Sequence, residues 1–153
     1  MTPAFAAALI TDQHGRYLLQ LRDDKPGILH PGAWGLFGGA IEPGESPAEA
    51  VERELIEEIG LVPSPPDFFR DLCIPTRIDA GPVRVRAVAV FAFAIEAGQV
   101  PGLVQNEGQG RALWPPELLL LEPRVAISAR LAVGLHAQPR LGQCSAARED
   151  FLA

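Results

Sequence analysis

GAIEPGESPAEAVERELIEEIGL, residues 39–61, is the stretch on which the reading of this chain turns. Its middle is a well-marked helix. Ser46 supplies an N-cap hydroxyl, Pro47 occupies the first helical position, where its missing N–H costs nothing, and Glu49 falls three residues after the cap, as a capping box requires. Gly60 supplies the stop. With Ala48 as angular origin and about 100° per residue, Val51, Leu55 and Ile59 fall within about 80° of one another and form the stripe that packs on a sheet. Glu54, Glu57 and Glu58 cluster on a neighbouring arc about 100° wide. Carboxylates spaced i, i+3 and i+4 repel one another, and Arg53, the nearest basic residue, is expected to point off to one side of their arc. A hard divalent cation resolves the conflict, since Mg²⁺ prefers carboxylate oxygens and keeps several waters. The competing reading is a solvated acidic face. Against it stands the lead-in: Gly38-Gly39 lets backbone approach a ligand closely, and a five-residue loop then runs to Glu45.

Outward from the helix, the chain alternates between strand-like and turn-like segments. Residues 4–11 are apolar and β-compatible, 12–15 (DQHG) form a turn, and 16–22 alternate as the second strand of a hairpin. Residues 23–33 (DDKPGILHPGA) carry two Pro-Gly pairs and read as a loop, and Trp34 to Phe37 as a short strand running into Gly38. After the helix, residues 63–67 (PSPPD) form a rigid connector. Residues 68–74 and 83–95 are strands, the second rich in Val and Phe. Residues 98–110 are loop-like, 111–114 a short strand, 116–121 a small helix and 124–137 a longer one. Strands, a central helix, more strands and a final helix fit an α/β or α+β sandwich better than a βαβ repeat. We expect one domain over residues 1–137 and a partly disordered tail over 138–153.

Bulk composition limits the function classes. A net charge of −6 and a pI near 5.0 disfavour a nucleic-acid binder that neutralises phosphates with a basic surface. A small anionic ligand is still compatible, through local arginines or a metal. The single lysine, Lys25, among 13 basic residues reflects compositional bias. Cys73 and Cys144 make no metal-ligand spacing and read as reduced thiols of a cytoplasmic protein. The N-terminus lacks the charged region of a signal peptide, and no apolar run reaches the roughly 18 residues of a membrane span.

Residues 39–61 resemble the Nudix box, G-x5-E-x7-R-E-U-x-E-E-x-G-U with U a bulky aliphatic. Gly39, Glu45, Arg53, Glu54, Leu55, Glu57, Glu58, Gly60 and Leu61 meet its fixed positions. Trp34-Gly35-Leu36-Phe37-Gly38 is similar to the family's lead-in, although Pro often stands where this chain has Phe37. The resemblance implies an α/β/α sandwich around a mixed sheet. It implies Glu54, Glu57 and Glu58 as ligands of catalytic Mg²⁺, or Mn²⁺, with the Gly38 carbonyl often joining them. Arg53 then pairs with box glutamates and orients them, and Glu45 is a structural or charge-pairing residue, as Gly39 and Gly60 are structural. The implied reaction is hydrolysis of a diphosphate linkage in which cations neutralise the phosphate oxygens and a carboxylate accepts the proton of water. Members of the family differ in which carboxylate does so, which leaves Glu57 and Glu58 as catalytic candidates too. Glu107, in the later loop QNEGQG, is the candidate where a later glutamate serves as base or ligand, with an ordinary loop acid as the alternative.

The implied substrate is a nucleoside diphosphate linked to another moiety: a nucleotide-sugar, ADP-ribose, a dinucleoside polyphosphate or a (deoxy)nucleoside triphosphate. Signatures of coenzyme A and NADH-type members are absent, and Pro75 is a weak hint of ADP-ribose hydrolases. Arg84 and Arg86 alternate onto one strand face and are candidates to meet phosphates, with a solvated strand end as the alternative. His30, Trp34 and Phe69 are candidates for base or sugar contacts, against plain packing. Two readings compete with an enzyme. A non-catalytic Nudix-fold sensor is expected to lose a metal glutamate, and none is lost. A purely acidic interaction surface leaves Gly38-Gly39 and Arg53 unexplained. Homodimerisation is common in the family, and the apolar strands permit it.

Overall fold

A computed structural model of the protein describes residues 1–62 and 64–138. The expected tail from residue 139 on, including Cys144, and Pro63 of the connector lie outside the described residues. One mixed sheet organises the rest. Its strands are β1 (Phe5–Asp12), β2 (Tyr17–Leu21), β3 (Trp34–Gly35), β4 (Phe37–Ala40), β5 (Asp67–Thr76), β6 (Arg84–Ile95) and β7 (Gly110–Trp114). The helices are α1 (Pro47–Ile59), α2 (Pro116–Leu121) and α3 (Ile127–Ala137). β1 runs parallel to β6 from Phe5↔Val88 to Asp12↔Ile95, while the other pairings are antiparallel.

β1 is buried on both faces, as a central strand is. Ala6, Ala8 and Ile10 join Phe91 and Phe93 beneath Val51, Leu55 and Ile59 of α1. Ala7 and Leu9 face the other way, toward Ala129, Ala132 and Val133 of α3. Period-two alternation in the strands thus puts helices on both sides, the expected α/β/α layering. α1 has the predicted cap: Ser46 Oγ accepts from Glu49 N–H, the Glu49 carboxylate accepts from Ser46 N–H, and Gly60 closes the helix at φ +64°.

Three local expectations are corrected. The strand expected over Trp34 to Phe37 is two strands interrupted at Leu36, because the chain there changes partner: Trp34 and Gly35 pair with β2, Phe37 to Ala40 with β1. That switch carries Gly38 and Gly39 into the sheet under α1. Within the expected loop 98–110, Ala97–Gly102 forms a short 3-10 helix. The last helix starts at Ile127, not Arg124, because Arg124 and Ala126 are hydrogen-bonded in extended form to the Trp34 backbone.

Candidate active site

The sheet-facing and acidic sides of α1 meet at Glu58. The three glutamates do not share one solvated arc. Glu57 is exposed, whereas Glu58 is 3% exposed and sits with the buried residues of the helix. A buried carboxylate needs donors. Glu58 Oε2 accepts from Gly38 N–H at 3.0 Å, and Oε1 lies 3.5 Å from Nε2 of Gln20, itself a buried side chain of β2. Glu54 is close-packed against Gly39: a Cβ at that position would land on the Glu54 carboxylate. A Cβ at Gly38, whose φ is +128°, would run into the Ala6 and Ala7 backbone. Close approach at Gly39 is thus to the Glu54 carboxylate, and at Gly38 to the β1 backbone, with its N–H turned to Glu58.

Arg53 does not point to one side, as helix arithmetic alone suggested. Its forked guanidinium grips Glu45 in bidentate fashion, Nε to Oε1 at 2.8 Å and Nη2 to Oε2 at 3.0 Å. Nη1 donates to Glu54 at 2.8 Å and to Glu57 at 3.3 Å, and Nη2 to the Ala40 carbonyl. The physical reason is side-chain length: a fork on a flexible stem spans neighbouring arcs that Cβ directions separate. The bond from Arg53 is the largest cause that holds the Glu45 carboxyl below its ordinary range, with the Glu42 N–H adding to it. Arg53 in turn is held more firmly protonated by Glu45 and Glu54.

Burial pushes the Glu58 carboxyl up to about 8, and the charges of Glu107 and Glu54 add to the shift, while the Gly38 and Gln20 donors oppose it. In metal-free protein this has a definite sign. The folded state binds a proton on Glu58 that the unfolded chain, titrating near 4.5, has released. Stability from this group is thus fully present below pH 4.5 and is lost as pH rises toward 8, at up to about 1.4 kcal/mol per pH unit. His30 works oppositely, since burial and Arg22 depress its pKa and its contribution is lost as pH falls. Denaturant melts of chelated wild type and Glu58→Gln between pH 5 and 8 isolate the effect: the variant should gain on wild type as pH rises. A constant difference would contradict it.

Glu107 lies in the loop that follows the 3-10 helix, close enough for its charge to act on Glu58. Its backbone carbonyl, like Glu58 Oε1, faces Nε2 of Gln20. Two cavities flank this centre. One, of about 190 Å³, is lined by Gly38 and Gly39, by apolar Leu36, Ile74 and Val88, and by Arg86. His30 and Arg22 also line it. The other, about 420 Å³ and more polar, is lined by Gln20, Lys25, Asn106 and Glu107. Arg22 lines both.

Of the substrate-contact candidates, His30 and Arg86 thus reach the first cavity. The Arg86 guanidinium stands 5.0 Å over the Phe5 ring, and its Nε donates to Thr76. Arg84 lies in a separate recess of about 200 Å³ with Thr76 and Arg86, outside that cavity. Trp34 does not line it either; it packs edge-on against Trp114 at 5.2 Å. Phe69 packs against His136 at 5.1 Å. Gln20 was missed from sequence; its one signal was an amide inside the apolar strand YLLQL.

The donor set of Glu54, Glu57 and Glu58 is all carboxylate oxygen, which suits a hard divalent cation. Among the described residues no three His, Cys, Asp or Glu side chains are grouped so as to hold a metal ion by themselves. Water and substrate oxygens would have to complete the shell of a cation placed at α1, as Mg²⁺ commonly allows.

The NUDIX domain family model matches residues 1–132. The nucleoside triphosphatase NudI of Salmonella paratyphi B is 35% identical over 126 residues, spanning 78% of this chain and 87% of that protein. Many solved structures share the fold, two of them as follows. The MutT protein from Methanosarcina mazei Go1 has 22% identity and a TM-score of 0.68, covering 88% of this chain and 92% of its own. The E. coli dihydroneopterin triphosphate pyrophosphohydrolase has 18% identity and a TM-score of 0.70, covering 90% and 97%. With the domain match spanning most of the chain and a relative above 30% identity, the chain belongs to the Nudix family and is a Nudix hydrolase.

Proposed function

We propose that this hydrolase uses Mg²⁺, or Mn²⁺ in its place, to cleave the diphosphate linkage of a nucleoside diphosphate joined to another moiety. A nucleoside triphosphate is the substrate class best supported. The observation that carries the reading is the joint presentation of Glu54, Glu57 and Glu58 by α1 against Gly38-Gly39, with Arg53 organising two of them. The triphosphate class is supported by the 35% identical relative, a nucleoside triphosphatase by name. A non-catalytic sensor has no such support, because each glutamate of the box is in place.

Glu54, Glu57, Glu58 and the Gly38 carbonyl would hold the cation, which supplies positive charge against the phosphate oxygens. Arg53 keeps the Glu54 and Glu57 carboxylates oriented. Gly38 N–H and Gln20 fix Glu58. Glu107 accepts the proton of the attacking water as a P–O bond of the bridge breaks, leaving two phosphorylated fragments. Arg22, His30 and Arg86 contact the substrate in the cavities beside Gly38. As part of the same proposal, residues 1–137 act as one domain in the cytoplasm. Homodimerisation is supported by exposed Phe68, Val83 and Val85 at and beside the β5–β6 end of the sheet.

Purified protein with Mg²⁺ is to be offered deoxynucleoside triphosphates, ADP-ribose, NDP-sugars and dinucleoside polyphosphates. The expected result is a nucleoside monophosphate and pyrophosphate from a triphosphate, falling to background with excess EDTA and returning with Mg²⁺. Turnover indifferent to EDTA would overturn the metal role, and turnover confined to ADP-ribose or NDP-sugars would overturn the triphosphate class.

A further inference from the structure

Arg111 stands on β7, away from the glutamates of α1, yet its guanidinium is fully engaged. Nε and Nη2 donate to the Val100 carbonyl at 3.3 and 3.0 Å, Nη2 to Leu103 O at 2.5 Å, and Nη1 to Val104 O at 3.0 Å and Gln105 Oε1 at 2.9 Å. The segment so gripped leads straight to Glu107. The Gln105 amide that accepts from Arg111 donates in turn to the Glu107 carbonyl. The same loop covers the end of α1, whose last carbonyls have no partner within the helix. Val104 N–H donates to Ile59 O at 3.1 Å, Asn106 N–H to Glu58 O at 2.9 Å, and Asn106 Nδ2 to Glu57 O at 2.7 Å. After Glu107 the chain is held again, by Gln109 N–H on Leu21 O and by Gly108 at φ +76°, where a Cβ would sit 2.7 Å from that carbonyl.

Glu107 is exposed, so burial does not fix it, and its braced backbone, whose carbonyl accepts from Gln20 beside Glu58, sets where its carboxylate stands. We propose that Arg111 is a positioning residue for hydrolysis: through the 100–105 carbonyls and the Gln105 amide it holds Glu107 facing Glu58 at the end of α1. The inference rests on the reading of Glu107 as a participant in the reaction. Lys at this position keeps the charge but lacks a five-donor fork, so it separates clamp from charge.

The test is a double-mutant cycle on the full chain with Arg111→Lys, Glu107→Gln and both, using Mg²⁺ and the deoxynucleoside triphosphate that wild type turns over fastest. Arg111→Lys should lower kcat about tenfold or more with KM within about twofold, the scale seen when an outer support of a site is removed. The double variant should be no slower than Glu107→Gln, because both changes act through one carboxylate. In metal-free protein, hydrogen exchange at the Val104 and Asn106 amides should quicken in Arg111→Lys and not in Glu107→Gln. Wild-type kcat in Arg111→Lys, or losses that multiply in the double variant, would overturn the clamp. Wild-type kcat in Glu107→Gln would overturn it too, and would locate the failure in the role of Glu107. Should Arg111→Lys fail to fold, Asn106→Ala unhooks the loop from Glu57 O and enters the same cycle with the same expectations.

Discussion

Glu58→Gln should lower kcat by about 10³-fold, the middle of the range for a lost catalytic carboxylate, without loss of fold. The substitution is nearly isosteric, and the amide oxygen can still accept from Gly38 N–H. It cannot also accept from Gln20, because the amide offers one oxygen where the carboxylate offered two. What disappears is the negative charge. In the metal-free protein that charge is a burden, since burial pushes Glu58 toward its neutral form. In the reaction proposed above it is a ligand for the cation. Glu58→Gln should therefore melt at or above the wild-type temperature at pH 8 without metal, gain less than wild type from added Mg²⁺, and have little turnover. Glu57→Gln should lose turnover as well but leave the metal-free stability unchanged, because Glu57 is exposed. Wild-type kcat in both folded variants would sink the assignment of α1 as the metal-binding helix.

The contrast between these two glutamates was partly legible in the sequence. With Ala48 as origin, Glu58 falls about 20° from Val51, next to the apolar stripe, while Glu57 falls about 120° from it. Angles thus marked which carboxylate would be buried, once the stripe was taken as facing a sheet. The α1 caps were legible for the same reason: Ser46, Pro47, Glu49 and Gly60 act within one turn of themselves. Arg53 was legible only through the family resemblance, because its reach depends on a long side chain and on Glu45, which the loop brings back beside the helix. Gln20 and Arg111 were not legible. Their partners are 38 residues away in the first case and, in the second, backbone carbonyls, which no sequence pattern names. The break at Leu36 arose from a choice between β1 and β2 as partner, a tertiary matter that local propensity does not decide. Trp34 read more readily as a packing residue than as a ligand platform, and it packs against Trp114 beside the core.

Removal of Arg53 should have the next largest effect, and for a reason separate from ligation. Arg53→Ala takes the guanidinium from Glu45, Glu54 and Glu57 at once. Glu54 cannot retreat toward the sheet, because Gly39 backbone lies against its carboxylate. Mutual repulsion must instead push Glu45 and Glu57 outward, where each finds water. We expect kcat to fall about 10²-fold, the upper end for outer supports of metal ligands, with the Mg²⁺ concentration for half-maximal activity raised about tenfold or more. Excess Mg²⁺ should recover part of the loss, since a second positive charge offsets the missing one. Arg53→Lys restores the charge but not the fork: one ammonium cannot hold Glu45 at two oxygens and Glu54 at the same time. Its activity should lie between Ala and wild type at low Mg²⁺ and stay below wild type at saturation. A Mg²⁺ titration of kcat for the three proteins reads both quantities. If Arg53→Lys matches wild type at every Mg²⁺ concentration, charge alone suffices and the bidentate grip on Glu45 has no part in catalysis.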